Sequence, residues 1–161
     1  MTTMRATTKM SRRVDGPVVP VLLFTIGDGL YALPIDDIVE VAAMVELANL
    51  ADAAPEILGV ANRHGAILPM LDLRRVLKQD AASVTPSTLF IVVEHGGRRA
   101  GLVVNDVQQV EYINAAQFEA SSVPGRYIRG IISYESQLIQ VISLPAVWET
   151  FLADHVAEKQ G

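Results

Sequence analysis

The residues best suited to chemistry in this sequence are three histidines and one pair of adjacent aspartates. His64 and His95 fall in predicted turns and His155 in a predicted terminal helix, so their spacing does not require a shared metal ion. Asp36 and Asp37 could act as paired catalytic carboxylates, but such a pair more often stabilises the N-terminus of a helix. The sequence has no G-x-S-x-G elbow, phosphate loop or H-E-x-x-H motif. We therefore expect no catalytic site, metal or cofactor, and interpret the chain as a binding module.

The composition indicates an aliphatic, strand-rich core and an acidic body. Half of the 161 residues are hydrophobic but only 6% are aromatic, which favours β structure. The net charge is −5, and the segment Met1–Arg13 contains bases but no acid, so the rest of the chain is more acidic still. We therefore expect no nucleic-acid partner, because phosphate binding depends on clustered Lys and Arg. No apolar run approaches the roughly 20 residues that cross a bilayer, so we expect no direct membrane insertion.

The absence of cysteine excludes a disulfide framework and a zinc-thiolate site, and suits a reducing cytoplasm. We predict three parts in the chain. Residues 1–17 form a disordered basic tail, residues 18–157 form a single domain, and residues 158–161 form a short C-terminal tail.

A hairpin that leads into a helix is predicted at Gly59–Leu77, which reads GVANRHGAILPMLDLRRVL. Gly65 can adopt the positive φ that a tight turn needs, and the apolar run Ala66–Leu71 returns as a strand. Asp72 can then accept the free amide hydrogens of a short helix whose apolar residues recur every three or four positions.

The same order of elements occurs twice. Gly59 to Leu73 aligns with Gly130 to Leu144 at an offset of 71, and each unit reads as strand, glycine turn, strand, short helical turn, strand, hairpin and helix. The first half of each unit aligns at an offset of 69, where Leu33, Asp37, Ile38 and Val41 match Leu102, Asp106, Val107 and Val110. Pro34–Val39 is the first predicted short helical turn and Asn105–Val110 the second. Five strands with short connections favour a small closed barrel, because closure removes exposed edges.

We therefore predict a mainly β fold. It consists of two five-stranded barrel subdomains that share a core, with short helices and a C-terminal helix capped by Ser143. The polar linker at residues 78–87 is the predicted joint between the subdomains.

The run LGVANRHGAILPMLDLRRVL resembles the central motif of the CheW family of chemotaxis coupling proteins. The segments LLFTIGDGLYALPIDDIVEV, GLVVNDVQQV and RGII…LPAV occur in the order typical of that family, and the resemblance covers Val18 to Leu152. It implies two SH3-like barrels and a non-enzymatic adaptor. Such an adaptor connects the cytoplasmic tip of a methyl-accepting chemoreceptor to the regulatory domain of a CheA-type histidine kinase. It implies a cytoplasmic location at membrane-associated chemoreceptor arrays.

In that family the receptor-binding groove lies between the barrels. The resemblance implies that the matching residues here are Ile38, Glu40, Asn62, Arg63, His64 and Val110. The usual family turn is Asn-Leu-Arg-Gly, whereas here His64 stands at the arginine position and Arg63 at the leucine position. Either His64, which carries a full charge only when protonated, replaces the cation beside Glu40, or Arg63 takes over that role.

Two alternatives remain open on the sequence alone. The first is a divergent CheW-like regulator of a pilus-linked or other non-flagellar chemosensory pathway, which competes for array positions. The second belongs to another class, a small-barrel ligand-binding protein.

Overall fold

The computed structural model describes residues 17–120 and 125–153, so the predicted terminal tails, apart from Pro17, and His155 lie outside the described residues. The described part is mainly β with short helical turns. Its strands are β1 (Val18–Ile26), β2 (Gly29–Pro34), β3 (Ile38–Ala43), β4 (Ile57–Arg63), β5 (Ala66–Asp72), β6 (Leu89–His95), β7 (Arg98–Val104), β8 (Asp106–Asn114), β9 (Ile128–Tyr134) and β10 (Gln137–Ile142). Its helices are α1 (Leu73–Val76), α2 (Ala115–Ala120) and α3 (Leu144–Val147), with a 3-10 turn at Ile35–Asp37 and a π-helical turn at Trp148–Leu152.

The described strands form two five-stranded sheets. Sheet 1 has the order β8-β1-β2-β10-β9, and sheet 2 has the order β3-β6-β7-β5-β4. Within each sheet the pairs are antiparallel except for one parallel pair, β10 with β2 in sheet 1 and β5 with β7 in sheet 2. The predicted mainly β fold with two five-stranded barrel subdomains is confirmed.

The two sequence repeats exchange their first hairpins. Strands β1 and β2 of the first repeat join β8 to β10 of the second repeat, while β6 and β7 of the second repeat join β3 to β5 of the first. The predicted joint at residues 78–87 is therefore corrected, because that linker connects α1 to β6 and its flanking strands belong to the same sheet. The chain passes between the sheets at the 3-10 turn Ile35–Asp37 and again at Asn105.

The predicted short helical turn at Asn105–Val110 is wrong. These residues belong almost wholly to strand β8, which pairs with β1. The first repeat does turn, because Pro34, with a φ of −60°, precedes the 3-10 turn. The aligned position in the second repeat is Val103, which favours extended backbone.

Both predicted helix caps are present. The Asp72 carboxylate accepts the Arg74 amide hydrogen, with N and Oδ1 3.1 Å apart, and the Ser143 hydroxyl accepts the Ala146 amide hydrogen at 3.3 Å. The Arg74 guanidinium also donates to both Asp72 oxygens, at 2.9 and 3.1 Å, although both side chains are almost fully buried. A buried ion pair of this geometry satisfies the charges that burial would otherwise leave unpaired.

The core follows from the two-residue alternation of the strands. Leu22, Phe24 and Ile26 contribute to a large shared cluster that also contains residues of sheet 2, such as Leu71 and Leu102. Val21 and Leu23, on the other face of β1, belong to a smaller cluster confined to sheet 1, and sheet 2 has its own smaller cluster around Phe90. The two barrels thus have separate interiors and one common core, as predicted.

The path from β3 to β4 depends on Gly59. The backbones of Ala48 and Val60 exchange two hydrogen bonds, with N–O distances of 2.9 and 2.8 Å, and this bridge holds the connecting segment against the edge strand β4. Gly59 has a φ of +150°, and a Cβ atom there would collide with the Ala48 carbonyl oxygen. Only glycine fits this close approach without strain.

We expect Gly59→Ala to lower the free energy of unfolding by about 3 kcal/mol or more, because it adds both a collision and a strained φ. The control is Gly96→Ala, where φ is also positive, at +62°, but no atom lies within 4 Å of the new Cβ. This control should cost only about 1 kcal/mol. Urea unfolding of both variants checks the prediction, and equal losses would contradict it.

Candidate partner-binding site

Glu40 and Arg63 join the two edge strands of sheet 2. Glu40 lies on β3 and Arg63 at the end of β4, and these strands are at opposite ends of the strand order. Arg63 Nε donates to Glu40 Oε2 and Nη2 donates to Oε1, both at 3.0 Å. This two-point contact is the strongest geometry between a guanidinium and a carboxylate. We call the Glu40–Arg63 contact the seam pair, because it links the edges that the barrel must bring together.

The geometry of the turn beside the seam pair shows whether Arg63 or His64 takes the place of the arginine that is usual in the family turn. Arg63 pairs with Ala66 at the base of the turn, and the two residues between them have positive φ, 52° for His64 and 83° for Gly65. Positive φ at both central positions is typical of a type I′ hairpin turn. His64 Nε2 lies 3.6 Å from Glu40 Oε2, and the His64 side chain is 73% exposed. Arg63 therefore makes the two-point contact, and His64 is a second, solvated neighbour of the same carboxylate.

The seam pair closes one end of the interior of its barrel. The Arg63 guanidinium carbon lies 5.8 Å from the ring centre of Phe90, a fully buried residue of the sheet 2 cluster. A guanidinium at this distance from an aromatic face gains a favourable cation–π contact. Glu40 and Ala42 alternate onto the same face of β3, and Ala42 packs against that cluster. The Arg63 guanidinium thus contacts both the Glu40 carboxylate and the face of the Phe90 ring.

An open groove lies along the outer face of β4. Its volume is about 470 Å³. It is lined by Val45, Glu46, Leu47, Ala48, Val60 and Asn62. Asn62 is exposed, and its partner across the hairpin is Ile67, which is half-exposed. The groove therefore offers apolar side chains on the face of β4 opposite to Arg63, next to the turn that contains His64.

The remaining predicted site residues lie elsewhere. Ile38 is on β3 but packs against the shared core. Val110 is on β8, the edge strand of sheet 1, and its side chain is 44% exposed. The structure thus brings Glu40, Arg63 and His64 into contact and places Asn62 next to Arg63.

Two features of this surface were missed by sequence reasoning. Phe90 is the aromatic support of Arg63, and Val39 and Val41 are exposed apolar residues on the outer face of β3. The strict alternation of exposure along β3 predicts the two valines, but only once the strand and its register are known. The contact of Phe90 with Arg63 joins residues far apart in sequence and carries no local signal.

The electrostatics of the seam pair favour binding over acid–base chemistry. The hydrogen bonds from Arg63 lower the pKa of Glu40, with smaller contributions from the nearby positive charges. A carboxylate held in its charged form by a permanent cation is a poor proton donor or acceptor near neutral pH.

Within the part of the chain that the structure describes, no group of His, Asp and Glu could hold a metal ion. The helices of residues 17–120 and 125–153 are also too short to form a membrane span.

Comparison with known proteins shows the family to which the chain belongs. Residues 20–150 match the model of the CheW-like domain family. The chain is 28% identical to the chemotaxis protein CheW of Klebsiella aerogenes over 145 residues, covering 85% of this chain and 87% of the relative. It is 26% identical to protein PilI of Pseudomonas aeruginosa over 145 residues, covering 86% and 75% respectively. It is also 32% identical to protein FrzA of Myxococcus xanthus over 93 residues, or 58% of each chain.

The fold is similar to the crystal structure of the scaffolding protein TtCheW from Thermoanaerobacter tengcongensis. The TM-score is 0.70 at 26% sequence identity, covering 80% of this chain and 90% of that one.

The lowered pKa of Glu40 predicts how the seam pair contributes to stability. A carboxylate whose pKa is lower in the folded state stabilises the fold above its unfolded pKa, and this contribution disappears as the pH falls through the folded value. Wild type should therefore be more stable than Glu40→Gln at neutral pH, and the difference should shrink below about pH 4.5. Urea unfolding from pH 7 to pH 3 measures the stability of both proteins.

The control is Glu94→Gln, which breaks an exposed pair with Arg99 and should change stability little. A wild-type advantage that does not vary with pH would contradict the prediction.

Proposed function

The chain belongs to the CheW-like domain family, and on that premise we propose that it couples chemoreceptors to a CheA-type histidine kinase as a non-catalytic adaptor. It would act in the cytoplasm at membrane-associated chemoreceptor arrays. The described residues hold no constellation of catalytic side chains, which is consistent with a protein that works by binding. The proposed adaptor role rests on family membership. The proposed position of the receptor-binding surface rests on the seam pair.

The receptor-binding surface that we propose spans both sheets: Glu40, Asn62, Arg63 and His64 belong to sheet 2 and its β4–β5 turn, Val110 comes from the edge of sheet 1, and Ile38 underlies the surface in the shared core. Its centre is the seam pair, whose two side chains are only 30% and 23% exposed and therefore hold a fixed direction. Preorganised charges lower the entropy cost of binding, because little side-chain freedom is lost when the partner arrives. The groove beside Asn62 adds the apolar contacts that a helical receptor tip needs.

The regulatory domain of a CheA-type kinase is the second partner that we propose. The resemblance implies that family members meet this domain through barrel-to-barrel contacts, and we propose that its binding surface is distinct from the seam pair. The two partners can therefore be tested separately. A pull-down with the regulatory domain should capture the full chain and the chain that lacks residues 1–16. Failure of both to bind would exclude the adaptor function.

A second candidate is a regulator of a non-flagellar chemosensory pathway that competes for array positions. The similarity to PilI and FrzA, relatives with names other than CheW, favours this candidate. Reconstitution of a receptor with its kinase distinguishes the two. A coupling protein should raise kinase activity, whereas a competitor should lower the activity that another coupling protein supports.

We expect Arg63→Leu to weaken binding of a receptor-tip fragment about tenfold or more, because it leaves the Glu40 carboxylate without its main partner. The double variant Arg63→Leu with His64→Arg recreates the usual family turn, and it should regain most of the lost affinity. Calorimetric titration with the receptor fragment measures both.

The matched control is Arg99→Leu, since Arg99 belongs to the same sheet but pairs with Glu94 in an exposed contact and contributes least among the charges that lower the pKa of Glu40. This control should bind the receptor fragment as wild type does. Binding to the kinase domain should be unchanged in Arg63→Leu, which shows that the variant is folded. Wild-type receptor affinity in Arg63→Leu would remove the seam pair from the proposed interface.

A further inference from the structure

The charged residues of the hairpin formed by β6 and β7 lie on its two opposite faces. Glu94 is opposite Arg99 and His95 is opposite Arg98 in the strand register. Because neighbouring residues on a strand point to opposite sides, these two pairs face in opposite directions. On one face Arg99 Nε donates to Glu94 Oε1 at 3.0 Å. On the other face Arg98 meets a histidine in place of a carboxylate.

The His95 face borders a cleft between this hairpin and the C-terminal helical segment. The cleft has a volume of about 530 Å³, within the range of pockets that hold ligands. It is lined by His95, Gly96, Arg98, Pro145, Trp148, Glu149 and Ala153. Gly96, Pro145 and Glu149 are exposed, so the cleft opens onto the surface of the molecule.

The aromatic wall of the cleft is firmly held. Trp148 is only 4% exposed, and its ring centre lies 5.4 Å from that of His95. His95 also lies close enough to Asp37 for its charge to act on that carboxyl group, whose pKa is raised mainly by burial. The ring of His95 is thus placed between the helical segment and the 3-10 turn that joins the sheets. A ligand would meet a rigid wall here.

Arg98 supplies the positive charge of the cleft. Its side chain is partly buried and makes no hydrogen bond or ion pair with any other residue that the structure describes. A guanidinium has five N–H donors that match a carboxylate in two-point geometry. Glu149 lines the same cleft but does not come within ion-pair distance of Arg98. Among residues 17–120 and 125–153, the cleft therefore has an unpaired guanidinium in one wall and an exposed acid in another.

We propose that this cleft binds an acidic peptide segment of a protein partner through a single carboxylate. The Arg98 guanidinium donates hydrogen bonds to that carboxylate, and an adjacent apolar side chain packs against Trp148 and His95. Glu149 disfavours a second carboxylate nearby, so the segment has an isolated acid among apolar or neutral residues. This site is separate from the seam pair and does not depend on the proposed coupling function.

Trp148 is the single tryptophan of the chain, so its fluorescence reports on this cleft. The test titrates the full chain with two probes, acetyl-Gly-Leu-Glu-Leu-Gly-amide and acetyl-Gly-Leu-Leu with a free C-terminal carboxylate. The matched neutral probes carry glutamine in place of glutamate, or a C-terminal amide. We expect at least one acidic probe to change the fluorescence saturably, and its neutral match to bind about tenfold more weakly.

Two variants assign the response to the cleft. Arg98→Gln should weaken the acidic probe about tenfold, whereas Arg99→Gln on the opposite face should bind it as wild type does. Circular dichroism confirms that both variants are folded. The proposal is overturned if neither acidic probe gives a saturable change, if acidic and neutral probes bind equally, or if Arg98→Gln and Arg99→Gln respond alike.

Discussion

The constraint on which this structure depends is the exchange of hairpins between its two sequence repeats. Each sheet takes two strands from one repeat and three from the other, so neither repeat can complete a sheet alone. The exchanged hairpins meet the strands of the other repeat at two parallel pairs, β10 with β2 and β5 with β7, and at two antiparallel pairs, β1 with β8 and β3 with β6. Leu71 and Leu102 face each other at one of these junctions and belong to the shared core. The barrels therefore form one cooperative unit, because residues of both sheets are buried together in the shared core.

In each sheet the two edge strands are not hydrogen-bonded to each other, and the two barrels carry different side chains where these edges approach. Sheet 2 has the ion pair of Glu40 and Arg63. In sheet 1 Tyr134 occupies the position of Arg63 at the offset of 71, near Glu111 of the opposite edge strand. Burial and the neighbouring carboxylates of Glu111 and Glu135 raise the pKa of Tyr134 to about 12. A neutral phenol stands at this position in one barrel and a charged pair in the other, so an internal repeat has produced two surfaces of different charge.

Short sequence patterns predicted the secondary-structure elements but not which strands pair with each other. The glycine turns, the Asp72 and Ser143 caps and the turn after Pro34 each depend on a few neighbouring residues, and the structure contains all of them. The strand exchange is non-local, so the polar composition of residues 78–87 does not show that the strands on either side of this linker belong to the same sheet. The second short turn was wrong because repeat alignment carried over a proline effect to a position held by Val103. The resemblance named Glu40 and the turn, but the choice between Arg63 and His64 needed the turn geometry.

That choice has a physical cause in the strand pleat. Arg63 lies two residues after Ala61, so its side chain leaves β4 on the interior face, above Phe90 and toward Glu40. His64 has entered the left-handed part of the turn, which directs its side chain outward and leaves it mostly exposed. Arg63 holds the last inward-facing position of the strand, where packing against neighbouring residues fixes its side chain. A cation on the turn itself, at the position of His64, would be surrounded by solvent and less firmly held. Moving the arginine by one residue thus anchors it in the barrel wall and leaves the turn position free for a side chain whose charge depends on pH.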